Sequence, residues 1–363
     1  MHREMETPPT QAVEMENYGL IREGAGKAVL RATPVPKLRE DYILVKTTTI
    51  ALNPTDWTTL DAVGDDGTTL GCDYAGVVEA VGKSVRAPFK KGDRVAGFGH
   101  GGNDANPENG AFARYIAVKG DIQLHIPDGV SFEAACSVGV GVATTGYALY
   151  HVLKLPLPGT MQQSSDETIL IYGGSTATGT IAIQFAKMSG MRVVTTCSSK
   201  HFELMRQLGA DLVFDYHVPK VGEKIRAATD DKLKTVFDAV NVESSAAICA
   251  DAIGPDGGRY CNLLGLDCLR SDVESTFFLG YSVSGESYIF EGEKYDARPQ
   301  DFDFASKFMP LAERLWDEGR WKPHPQRVGS RGLLGALAGM DEMRKGRYSG
   351  EKLVYRVEET TWP

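Results

Sequence analysis

The chain has 363 residues, room for two domains with sizeable cores, and the composition of an ordinary globular protein. Its net charge of −9 comes without a basic run, which argues against nucleic acid or an anionic membrane as partner. No apolar segment reaches the ~18 residues of a membrane span, and Met1–Pro9 has no apolar leader core, so the reading is cytoplasmic.

Residues 10–139 read as β-rich. Tyr42–Ile50, Gly76–Val81, Asp93–Gly97 and Ala111–Val118 are predicted strands, joined by Gly-, Pro- and Asp-rich connections. From residue 140 helices and strands alternate. Val140–Leu153 is predicted helical, Pro156–Asp166 a polar loop, and Thr168–Tyr172 a buried strand. A glycine-rich turn leads into a helix stopped by Gly190, and Met191–Thr196 is the next strand. A helix over Lys200–Leu208 follows, then strands at Leu212–Phe214, Thr235–Asp238 and Gly258–Leu263. Gly285–Gln300 reads as a polar loop, with helices over 301–318 and 332–345 and a last strand at Lys352–Tyr355. Such alternation implies an α/β fold with a parallel sheet covered by helices on both faces.

The most informative stretch is Thr168–Lys187. Strand, glycine turn, helix and second strand form a unit that brings backbone amides and a helix N-terminus up to a pyrophosphate. The turn, Gly173-Gly174-Ser175-Thr176-Ala177-Thr178-Gly179, departs from a strict G-x-G-x-x-G. An NAD site places Asp or Glu about 20 residues after the glycines. Here Thr195-Thr196-Cys197-Ser198-Ser199-Lys200-His201 stands in that region, with no carboxylate before Glu203. Hydroxyls and an ammonium suit a 2′-phosphate, so Ser198 and Lys200 point to NADPH; a capping Ser198 or Ser199 is compatible with that role. The six cysteines, at 72, 136, 197, 249, 261 and 268, form no C-x-x-C pair and read as small buried residues.

Five further motifs stand in order around that turn. They are Ile50-Ala-Leu-Asn53-Pro54-Thr55-Asp56-Trp57, Gly71-Cys72-Asp73-Tyr74-Ala75-Gly76, Gly92-Asp93-Arg94-Val95, Asn109-Gly110-Ala111-Phe112-Ala113 and Tyr348-Ser349-Gly350-Glu351-Lys352-Leu353-Val354. Together they resemble the medium-chain dehydrogenase/reductases, over nearly the whole chain. Tyr172–Thr178, Phe214-Asp215-Tyr216 and Ser349–Val354 look most like the trans-acting enoyl reductases of fungal polyketide synthases.

The resemblance implies a GroES-like catalytic domain (1–139, completed by 299–363) around an inserted Rossmann domain (140–298), with a cofactor cleft between them. It implies that Gly173, Gly174, Ser175, Thr176 and Thr178 line the phosphates. Tyr216 is expected along the adenosine, Thr144 near the nicotinamide amide, and backbone at Leu263–Gly265 beside the ring. Lys352 and Ser349 are expected to lock the tail against that pocket, with a purely structural role open. Zinc-dependent relatives carry Cys and Asp in the first motif, His-Glu in the second, and a four-cysteine lobe. Asn53, Cys72-Asp73 and no such lobe stand here, so the expected enzyme uses no metal.

The implied reaction is hydride transfer from NADPH to the β-carbon of an α,β-unsaturated thioester tethered to a polyketide synthase acyl carrier domain. Many relatives have Lys after the Asn-Pro-x-Asp-aromatic stretch; this chain has Thr58, a weaker enolate partner, and the proton donor stays open. Asp56, Tyr74 and His100 are weaker candidates. The alternatives are a free enone, alkenal or quinone reductase and a cofactor-binding relative without turnover. Lys83, Arg86, Lys90, Lys91 and Arg94 are a conceivable basic rim for an acidic carrier domain, with a dispersed solvated face as the plainer reading. The resemblance implies a monomer.

Overall fold

The computed structural model describes residues 16–62, 66–159 and 167–363. The expected absence of a leader at Met1–Pro9, and residues 160–166 of the predicted loop, lie outside the described residues.

A hairpin opens the fold: β1 (Asn17–Gly24) and β2 (Lys27–Thr33) turn around Gly24 and Gly26, both at positive φ. Then come β3 (Tyr42–Ala51), α1 (Pro54–Ala62), β4 (Asp73–Val81), β5 (Arg94–Phe98), β6 (Tyr115–Lys119) and β7 (Leu124–His125). The short helix α2 (Phe132–Ala135) and α3 (Gly139–Gly146) lead out of this half, and a π-helical stretch, Tyr147–Val152, extends α3.

The second half runs β8 (Thr168–Tyr172), α4 (Ala177–Met188), β9 (Arg192–Cys197), α5 (Phe202–Gln207), β10 (Leu212–Asp215) and α6 (Val221–Ala228). It continues through β11 (Thr235–Asp238), α7 (Glu243–Ala252), β12 (Gly258–Asn262) and β13 (Val273–Phe277). All pairings are parallel, in the order β10-β9-β8-β11-β12-β13. This is a Rossmann sheet, and its order reverses between β8 and β11, where a crevice opens at the strands' C-terminal ends. Helices cover both faces of those central strands, so Ile169, Leu170, Ile171, Val236 and Phe237 are wholly buried.

Gly285–Gln300, read from sequence as a loop, instead carries a small hairpin, β14 (Tyr288–Phe290) and β15 (Glu293–Tyr295). Stacked Tyr288 and Tyr295 rings, 4.9 Å apart, hold it across a Glu291-Gly292 turn at positive φ. Its strands of three residues are too short for alternation to show in the sequence. Then follow α8 (Pro299–Asp317), β16 (Gln326–Gly329), α9 (Gly332–Arg344) and β17 (Lys352–Arg356). β17 pairs antiparallel with β3, and β16-β17-β3-β4-β5-β7 form one sheet that β6 joins through β3.

One apolar core crosses the joint between the halves, where Phe185 of α4 packs against Phe308 of α8 and against Trp321 just beyond that helix. All six cysteines are free and buried. Among the described residues no helix is long and apolar enough to cross a membrane.

Candidate active site

The glycine turn is shaped by what its backbone passes. A β-carbon on Gly173 (φ 81°) would stand 2.5 Å from Val240, one on Gly174 2.1 Å from Thr195 Oγ1, and one on Gly179 2.2 Å from the Gly173 carbonyl. The amides of Gly173 and Gly174 are spent internally, on Thr196 Oγ1 (3.1 Å) and the Thr196 carbonyl (2.8 Å). Gly173 and Gly174 were expected to line the phosphates, and with these amides occupied they would do so through the shape of the turn. Thr176 caps α4, its hydroxyl oxygen accepting from the Gly179 amide at 2.9 Å. The Ala177 and Thr178 amides lie in the first helical turn and have no intrahelical acceptor. With the half-buried Ser175, Thr176 and Thr178 side chains they form an anion cradle at a helix N-terminus.

At the other end of the crevice Ser198 Oγ lies 3.3 Å from the hydroxyl of Tyr216, whose ring is 38% exposed and tilted over Tyr172. Lys200 is exposed and has no carboxylate partner among the described residues. The nearby Asp215 is turned aside, accepting from the His217 amide (3.0 Å) and facing His217 Nδ1 (2.7 Å), with the Ser199 amide at 3.3 Å. His201 Nε2 stands 2.9 Å from Ser349 Oγ, so the tail is tied to the Rossmann half beside this pocket.

The facing wall is a buried polar cluster. Lys352, its side chain only 3% exposed, donates to Asn53 Oδ1 at 2.8 Å and pairs with Asp73 Oδ2. Asn53 Nδ2 donates to the same Asp73 oxygen (3.0 Å), and the Val140 amide at the start of α3 donates to the other (2.7 Å). An ammonium so enclosed cannot meet a ligand in an open cleft. Lys352, expected at the cofactor, therefore staples β17, β4 and α1 together. Asp56 accepts from the Asn53 amide (2.6 Å), and burial pushes its carboxyl up to about 7. Burial, then the Asp56 charge, raises the Cys72 thiol well above its ordinary range, holding it protonated.

Thr58 does not present a spare proton to the cleft. Its hydroxyl donates back to the Pro54 and Thr55 carbonyls, at 3.3 and 3.2 Å, as a hydroxyl inside a helix readily does. Tyr74 is core, its hydroxyl donating to Gln123 Oε1. Thr144 is buried in α3, and a β-carbon on Gly280 would lie 3.6 Å from its Oγ1. Leu263 is half-buried just past β12. Beside it Asn262 accepts from the Gly265 amide (2.9 Å), while its buried Nδ2 has no partner.

Sequence reasoning missed Asn262 and Tyr281. Tyr281 lies four residues past β13 with its hydroxyl 2.7 Å from Thr55 Oγ1 and 3.9 Å from Cys72 Sγ. His100 stacks on its ring at 3.6 Å, nearly parallel, and burial lowers the imidazole to about 3.

Comparison with known proteins fits this architecture. A family described as "Alcohol dehydrogenase GroES-like domain" matches residues 39–128, and one described as "Zinc-binding dehydrogenase" matches 177–281. Trans-enoyl reductase ACTTS2 of Alternaria alternata is 44% identical over 93% of this chain and 98% of its own. Trans-enoyl reductase TOXD of Cochliobolus carbonum is 51% identical over 76% and 92%. The chain belongs to the trans-enoyl reductase family of the medium-chain dehydrogenase/reductases. It is accordingly an oxidoreductase. The CurK enoyl reductase crystal structure superposes with a TM-score of 0.74, covering 94% of this chain and 99% of that one, at 18% identity, a likeness of fold.

Among the described residues no group of three or more His, Cys, Asp or Glu could hold a metal ion. Asp73, next to Cys72, is already committed to Lys352. The surface expected as a basic rim is neutralised locally: Lys83 pairs with Glu40, Arg86 with Asp121 and Lys91 with Glu79. Arg94 donates to the Val130 carbonyl.

Proposed function

We propose that the protein is an NADPH-dependent enoyl reductase acting in trans on an α,β-unsaturated acyl chain carried as a thioester by a polyketide synthase carrier domain. The likeness to trans-enoyl reductases over nearly the full length of both chains carries this reading. The absent cofactor has a fitting site. The glycine turn would collide with any added β-carbon, the first turn of α4 offers free amides, and Asn262 Nδ2 is an orphaned donor at the far end.

When bound, the reduced nicotinamide supplies the hydride. Ser175, Thr176, Thr178 and the adjoining amides hold the diphosphate, with Gly173 and Gly174 keeping the turn open. Ser198 and Lys200 hold the 2′-phosphate, and Tyr216 lies along the adenine. Thr144 and the backbone at Leu263 orient the nicotinamide amide. Residues 140–298 form the cofactor unit and 1–139 with 299–363 the catalytic unit, working as a monomer. The buried Lys352–Asp73–Asn53 cluster fixes α1, β4, β17 and α3 rigidly, so the catalytic wall needs no reorganisation when substrate enters. No metal enters this scheme, because the carboxylate beside Cys72 already neutralises a lysine.

The test is stopped-flow loss of reduced-nicotinamide absorbance with crotonyl and longer 2-enoyl thioesters, NADH serving as comparison. Turnover with NADPH and little with NADH is expected. Tight NADPH binding without oxidation by any enoyl thioester would overturn the reading.

A further inference from the structure

Resting on that reading, we infer that Tyr281 is the acid that protonates the α-carbon of the reduced substrate, with Thr55 returning its proton.

The reaction needs a proton at the α-carbon, and Thr58, standing where relatives carry lysine, has its hydroxyl proton committed to two carbonyls of its own helix. Tyr281 differs on each count. It follows β13, at the C-terminal edge of the parallel sheet where a Rossmann fold holds ligands. Its neighbour Gly280 abuts Thr144 of α3. Its hydroxyl reaches across to the start of α1 and meets Thr55 Oγ1 at 2.7 Å. The phenol therefore spans the cleft, touching both halves.

The ring is held still. His100 stacks on one face at 3.6 Å and 2°, while Tyr288 and Phe290 of the small hairpin pack against its edges at 5.9 and 5.8 Å. Such a ring presents its hydroxyl in one place, as a general acid requires. Tyr281 as a whole is half-buried. Burial, followed by the neighbouring Cys72, raises the phenol well above its ordinary value and keeps it a neutral donor. A thioester enolate is far more basic than a phenolate, so the transfer remains downhill.

The step balances. As hydride bonds to the β-carbon, the C=C electron pair moves to the thioester oxygen as an enolate. The enolate collapses, its α-carbon takes the proton of the Tyr281 O–H, and that bond's electrons stay on the phenolate oxygen. The phenolate is then reprotonated by water through Thr55, whose hydroxyl passes its proton to Tyr281 as it takes one from water.

The experiment compares wild type with Tyr281→Phe, which keeps the stacked ring. The readouts are kcat, KM, NADPH affinity by fluorescence titration, and the stereochemistry of deuterium at the α-carbon of product made in D2O. We expect kcat to fall about 100-fold, within the range for a general acid. KM and NADPH affinity should stay within about twofold, and deuterium should appear on both faces rather than one. A Tyr281→Phe enzyme with kcat within about threefold of wild type and the same single-face labelling would overturn this assignment alone. A wild-type protein that binds NADPH and reduces no enoyl thioester would instead bring down the enoyl reductase reading, and this assignment with it.

Discussion

The two walls of the cleft are built in opposite ways. The Rossmann wall is local and made of backbone: β8, the glycine turn, α4 and β9 lie within about thirty consecutive residues, and its ligand-facing groups are amides and short hydroxyls. The catalytic wall is long-range and made of side chains. Asn53, Asp73 and Lys352 come from three distant segments, and Tyr281 arrives from the other half. A wall of backbone is protected by space, so it fails when a side chain is added. A wall of buried charge is protected by pairing, so it fails when a partner is removed.

Lys352→Met tests the second kind of failure and should have the largest effect. It leaves Asp73 buried without its cation, and unfolding in urea should show a loss of about 3–5 kcal/mol. A loss below 1 kcal/mol would mean that the cluster is better solvated than its burial indicates.

The same wall carries a pH signature. Asp56 is raised in the folded state from 3.8 to about 7, so between those values the native protein holds a proton that the unfolded chain has released. Stability from this group therefore falls as pH rises from about 4 to about 7. Urea midpoints measured across that window should decline in wild type, and the decline should flatten in Asp56→Asn.

On the Rossmann wall, Gly179→Ala should lower the urea midpoint as well as weaken NADPH about 100-fold, or ~2.7 kcal/mol, in a fluorescence titration. The new β-carbon displaces the Gly173 carbonyl and with it the turn. Unchanged affinity would refute the assigned phosphate cradle. Smaller still, Lys200→Glu should cut the preference for NADPH over NADH about tenfold, ~1.4 kcal/mol, in paired titrations. Ser349→Ala, which removes one partly exposed tie to His201, should lower stability by only ~0.5 kcal/mol in the same urea assay.

The legibility of each wall follows its construction. Thr168–Tyr172, the glycines and Met191–Thr196 could be read because a buried parallel strand, a turn and an amphipathic helix each leave a periodic trace over adjacent residues. Ser198 was placed by its position just after the second strand, whereas Tyr216, 18 residues further on, was placed through a family motif. The β1–β2 hairpin and the β14–β15 hairpin were not read from the sequence. No residue of β2 is buried, and the β14–β15 strands are three residues each, held across their turn by Tyr288 stacked on Tyr295. Lys352 was noticed through a family motif, and its partner was beyond any local pattern. Asp73 lies 279 residues away, and its burial comes from packing that β17, α1 and α3 create together. Three of the expected rim cations, Lys83, Arg86 and Lys91, look unpaired in sequence because their acids, Glu40, Asp121 and Glu79, sit elsewhere in the chain.

The sequence by itself determined the parallel sheet, the cofactor turn and the lack of an acid at the ribose position, since each depends on side-chain type and spacing within one supersecondary unit. Only the tertiary structure decided that the Thr58 hydroxyl turns back onto its own helix, that Lys352 is a staple and that Tyr281 reaches Thr55. Hydrogen-bond partners across a domain joint are chosen by three-dimensional proximity, which leaves no periodic trace along the chain.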